Sequence, residues 1–130
     1  MIGYASRTGT KRNLDALRIA GWRLLISATG VHRTEGFDYA IDNGAWTAFR
    51  QGKPWDQSAF VSLIGKLGAL ADWVVAPDIV EGGRASLDVS LTWLPRLLDV
   101  CPRVLLAVQD GLEPQDVEHL LGERVGIFVG

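Results

Sequence analysis

The feature that most constrains this chain is an alternation. Short runs of β-branched and aliphatic residues recur, each followed by a turn and then a stretch with helical spacing. The runs cover residues 1–5, 22–27, 38–41, 72–76, 103–108 and 125–129. Between them, Leu14, Leu17 and Ala20 share one helical face that Gly21 should terminate. Asp56 is placed to cap a helix carrying Phe60, Leu63, Ile64 and Leu67. Ser86 opens a long helix with Leu87, Leu91, Leu94 and Leu98 on one side, which Pro95 should kink. Pro114 occupies a first helical position, with Val117, Leu120 and Leu121 facing inward before Gly122.

Strand and helix in strict alternation imply right-handed β-α-β units and a mainly parallel sheet. The strand runs are apolar on both faces, as a doubly covered sheet requires. No linker, repeat or low-complexity tract divides the chain, so residues 1–130 read as a single α/β domain. Two completions fit this pattern. One is an open six-stranded, doubly wound sheet. The other is a TIM-like (β/α)8 barrel, which needs roughly 250 residues and of which this chain would supply the first five to six units. The expectation is the incomplete barrel, because a bare apolar sixth strand at a sheet edge is something natural sheets avoid.

Composition enters mainly by exclusion. Apolar residues are 48% and charged residues 22%, too apolar for a disordered chain. No apolar run reaches the length of a membrane span, and the start has no signal-peptide core. The net charge of −2 supplies no global attraction to nucleic acid, although a local basic patch could. Cys101 is the single cysteine, which makes a reducing, cytoplasmic setting the default expectation. It also leaves no cysteine–histidine spacing that fits a zinc site, since His32 and His119 lie far apart.

In parallel α/β folds, ligands lie beyond the carboxyl ends of the strands, so the residue after each strand matters. Asp42 stands there in IDNGAW, Asp78 in APDIVEGG and Gln109 in VQDG, while Gly130 follows the last run. Each has a plainer reading: Asp-Asn-Gly and Gln-Asp-Gly are turn signals, and Asp78 suits a buried structural role. Their coincidence on one edge is the stronger signal. Two carboxylates and a carboxamide suit the N–H edge of a purine such as guanine. Trp46, four residues after Asp42, offers a face for stacking, or else a core side chain. Arg7, Lys11 and Arg12, with Arg33, form a basic cluster that could touch a polynucleotide backbone or simply face solvent. Phosphate-loop, dinucleotide and G-x-S-x-G motifs are absent.

The series IDNGAW, ADWVVAPDIV, LLAVQDG and VGIFVG, in this order, resembles the tRNA-guanine transglycosylase superfamily, nearest its short phage-associated branch, deoxypurine-in-DNA protein A. The resemblance covers most of the chain from Ile2. It implies a (β/α)8 barrel that exchanges guanine for a 7-deazaguanine on a polynucleotide, DNA in preference to tRNA, with either substrate left open. By that resemblance Asp42 is the acid–base residue, Trp46 the stacking aromatic, and Asp78 the reader of the purine N–H groups. Gln109 would contact the base carbonyl, and Gly130 would present a backbone contact. Asn43, Ala45 and Asp110 depart from the family pattern. The family's nucleophilic aspartate and zinc ligands lie later in the barrel, so this chain alone is expected to hold no cofactor and to turn over nothing. A possible homo-oligomer would cover the open edges. Two other classes stay open: a non-catalytic purine or nucleic-acid binding remnant, and a small α/β hydrolase acting on a nucleoside or sugar phosphate.

Overall fold

The computed structural model describes residues 1–129. It contains β1 (Tyr4–Ser6), α1 (Lys11–Ile19), β2 (Arg23–Ser27), β3 (Tyr39–Asp42), α2 (Ala45–Arg50), α3 (Gln57–Leu67), β4 (Val74–Val75), α4 (Gly83–Val100), β5 (Val104–Val108), α5 (Pro114–Val117) and β6 (Val125–Val129). The chain is α/β, with one six-stranded sheet in the order β1-β2-β3-β4-β5-β6. Every neighbouring pair is parallel. The order therefore follows the chain, without the reversal that creates a switch point in a doubly wound sheet.

Local chemistry accounts for most boundaries. Thr10 caps α1 by accepting from the Asn13 N–H, and Gly21 leaves the helix at φ 71°, a conformation that costs glycine little. Asp56 caps α3, its Oδ1 accepting from the Ala59 N–H at 2.9 Å. Pro114 begins α5, which after one turn tightens into a 3₁₀ turn at Glu118–Leu120.

Several sequence expectations are corrected. The first strand starts at Tyr4 rather than Met1. The fourth contains only Val74 and Val75, because Pro77 removes a ladder donor two residues on. The long helix begins at Gly83 rather than Ser86 and runs through Pro95 to Val100. Leu121 is 43% exposed instead of inward-facing, since the chain turns out of the helix before it. α2 has no counterpart in the sequence reading.

Alternate strand residues build the core. Leu24, Ile26, Ile41, Val74, Val104 and Leu106 meet Phe60, Leu63, Leu87 and Leu97 from the helices, and all are essentially excluded from water. Each such side chain contributes about 1.5–3 kcal/mol of hydrophobic stabilisation. The register places Tyr4, Arg23 and Phe128 on the opposite face, with Trp73 just before β4. There the Tyr4 and Trp73 rings lie 5.0 Å apart, and those of Trp73 and Phe128 6.4 Å apart. A flat sheet would hold β1 and β4 about 14 Å apart, so the sheet curls to bring these aromatics together. Asp72 ties the same end, its Oδ2 accepting from the Tyr4 hydroxyl and the Arg23 guanidinium, each at 2.8 Å. Among the described residues, no helix is long and apolar enough to cross a membrane.

Candidate functional site

The carboxyl ends of β3, β4 and β5 are joined by one hydrogen-bond network. Asp42 is the last residue of β3, beside Ser27 in the register with β2. Gly44 follows at φ 81°, which lets the chain turn sharply into α2 and aims its N–H back at Asp42 Oδ2, 3.0 Å away. Ser27 Oγ donates to the same oxygen at 3.4 Å. Burial raises the Asp42 pKa from its ordinary value, and the nearby charge of Asp78 pushes the same way. The Gly44 and Ser27 hydrogen bonds oppose this without cancelling it.

Asn43 is the centre of the arrangement and is only 2% exposed. Its Nδ2 donates to the Ala76 carbonyl at 2.8 Å and to Asp78 Oδ1 at 2.7 Å, while its Oδ1 accepts from the Ala45 N–H at 2.7 Å. Trp55 Nε1 donates to its backbone carbonyl at 2.8 Å. Both ends of the buried amide are thus engaged, as burial demands.

Asp78 receives a second amide from the other side. Gln109 Nε2 donates to Asp78 Oδ2 at 2.9 Å, and also to the Ile79 carbonyl and Ser86 Oγ. Gln109 Oε1 accepts from the Gly82 and Gly83 N–H groups at 2.9 and 3.2 Å. One glutamine therefore fastens β5 to the loop between β4 and α4. Ser86 Oγ accepts from the Ile79 N–H, and Ser90 Oγ donates to the Pro77 carbonyl, holding the same loop to α4.

Asp42, Asp78 and Gln109 are brought together as three strand ends in a row, but Gln109 faces the loop rather than open space. To reach a ligand carbonyl its side chain has to leave these partners. Trp46 sits on α2, 56% exposed, its ring stacked on Phe49 at 5.8 Å. Gly130 lies outside the described residues. The basic cluster is largely neutralised: Arg7 and Arg33 both pair with Glu35, and Lys11 with Asp15. Arg12 has no acidic partner among the described residues. Nor does any group of three His, Cys, Asp or Glu side chains there have a metal-binding arrangement.

Asn43, Ser86 and Trp55 were not foreseen as site residues. An Asn directly after the strand-end Asp was a visible signal for the first. In the sequence Ser86 has the look of a helix start, and nothing there marks Trp55. Comparison with protein-family models, with curated proteins and with solved structures finds no match.

Proposed function

We propose that this protein binds a purine bearing a lactam edge, guanine or a 7-deazaguanine, presented by a polynucleotide, DNA in preference to tRNA. The reading goes further: the six strands are the first part of a (β/α)8 barrel of the guanine-transglycosylase kind. Strand order without reversal and the curl of the sheet support that architecture.

The observation that carries the functional reading is the pairing of two differently treated carboxyl groups on adjacent strand ends. Burial raises the Asp42 pKa above its ordinary value, the direction that suits a carboxyl group asked to give and retake a proton. Asp78 is fixed as an acceptor by amide N–H donors on both oxygens, with lone pairs left for the N–H groups of a base. In base exchange a carboxylate displaces guanine from the sugar and the incoming base then displaces the carboxylate. Asp42 would protonate the departing base and deprotonate the incoming one. The resemblance assigns the nucleophile to a strand later than β6.

The test is calorimetric titration with guanine, 7-deazaguanine and adenine, followed by a labelled-guanine exchange assay on DNA and on tRNA. Guanine and its deaza analogue should bind, adenine should not, and Asp78→Asn should weaken guanine at least tenfold. No preference for guanine over adenine removes the reading. Binding without exchange favours a non-catalytic purine-binding role for the chain by itself.

A further inference from the structure

We infer that the outer face of α2 and the turn after it form a docking surface for single-stranded nucleic acid, carried by Trp46, Phe49, Arg50 and Lys53. Trp46, Phe49 and Arg50 stand at i, i+3 and i+4, the spacing that puts side chains on one helical face. That face looks outward: Trp46 is 56% and Phe49 48% exposed. The two rings are inclined by only 22° at a centroid distance of 5.8 Å, so they present a preformed aromatic ledge. The Arg50 guanidinium lies 5.9 Å from the Trp46 ring centroid. Gly52, at φ 62°, then turns the chain back, and the Lys53 N–H closes on the Ala48 carbonyl at 2.9 Å. Lys53 is thereby held at the end of the same helix.

Charge selects the occupant. Between Asp42 and Asp56 there is no acidic residue, although the whole chain is net negative. Among the described residues Arg50 and Lys53 enter no ion pair, whereas Arg7, Lys11 and Arg33 each do. Half-exposed aromatic side chains beside unpaired cations match a strand that offers bases to stack and phosphates to neutralise. Position agrees as well, because α2 begins three residues after Asp42. A strand delivering one base to the cleft would pass its neighbours over this ledge. The inference rests on the proposal that the recognised base belongs to a polynucleotide.

The experiment is fluorescence anisotropy with a 5′-labelled dT12, repeated with excess free guanine present to occupy the cleft, so that the binding that persists reads the ledge alone. Guanine titrated into the same unaltered protein reads the cleft alone. The protein should bind dT12, and Phe49→Ala should weaken it at least tenfold. Arg50→Gln should reduce the salt slope by about 0.7, one single-strand phosphate contact. Both side chains are exposed, so folding is not at stake. Absence of dT12 binding, or binding indifferent to Phe49→Ala, overturns the inference. So does sedimentation showing a dimer that Phe49→Ala dissociates, since the ledge then belongs to a second copy. Binding of dT12 without binding of guanine upholds the ledge and removes the purine reading.

Discussion

The substitution Asn43→Asp keeps the side chain's shape and removes two donated hydrogen bonds, to the Ala76 carbonyl and to Asp78. The Nδ2 donor that sits 2.7 Å from Asp78 Oδ1 becomes an acceptor facing an acceptor. Two carboxylates at that separation repel by about 6 kcal/mol at an effective dielectric of 20. The fold has a cheaper escape, which is to keep one proton on the pair. Holding a proton at pH 7 on a carboxyl whose unfolded pKa is about 3.9 costs about 4 kcal/mol, and that sets the ceiling. Partial solvent access lowers this pH-dependent part of the loss to about 2–4 kcal/mol, a large part of a typical domain's total stability. The pair binds its proton more tightly folded than unfolded, so the penalty grows as pH rises above the unfolded aspartate pKa. At pH 4 a protonated carboxyl in place of the amide can donate to Asp78 and restore that bond, but its single O–H leaves the buried Ala76 carbonyl without a donor, so a loss of about 1–3 kcal/mol remains. Urea unfolding of both proteins at pH 4 and pH 7, compared as differences, measures this directly. A penalty equal at the two pH values, or none at pH 7, would refute the geometry assigned to Asn43.

Other expectations follow from the same site and from the core. Gln109→Ala removes the acceptor shared by the Gly82 and Gly83 N–H groups. Amide exchange should accelerate at Gly83, and less so at Gly82, whose N–H also reaches the Ile79 carbonyl at 2.9 Å. The core strands should stay protected, with a stability loss of about 1–3 kcal/mol; unchanged exchange at Gly83 contradicts the latch. Asp42→Asn should stabilise the protein relative to wild type at neutral pH, because burial disfavours the Asp42 charge in the fold. The folded pKa lies above the unfolded one, so the gain should appear as pH rises through the aspartate range. Each unit of pKa displacement is worth about 1.4 kcal/mol, and a pH-independent gap in paired denaturation curves would count against it. Cys101 is buried, and burial pushes its thiol up to about 11. At pH 8 a thiol reagent should therefore label it only as fast as the protein unfolds, which stopped-flow labelling against unfolding rates can check.

How much the sequence disclosed depended on whether a signal was local. Asp56, Gly21 and Pro114 mark helix ends by their own chemistry, and each acts where its type suggested. The alternation of apolar runs and helical faces was sufficient for a parallel α/β sheet. α2 escaped because six residues give less than two turns of periodicity, and its two aromatics are exposed, against the usual pattern. In the site, strand-end position singled out Asp42, Asp78 and Gln109. The buried amide of Asn43 was not legible as their organiser, because its partners lie 33 and 35 residues away. Likewise a glutamine that could face a ligand and one that fastens a loop look alike until Gly82 and Gly83 are placed beside it.

Strand order has a consequence for how the molecule comes into being. Each strand pairs only with its predecessor and successor in the chain. A growing polypeptide can therefore lay down its sheet in the order of synthesis, each new unit docking on the last one made. At about 5–20 residues per second, translation of a chain this long takes on the order of ten seconds, far longer than a helix or a strand pair needs to form. The cleft obeys a different clock. Asn43 is made early, Asp78 midway, and Gln109 only with the fifth strand, so the ring of amides around Asp78 closes late. Until then the nascent chain carries a half-built sheet whose polar centre is still open to water.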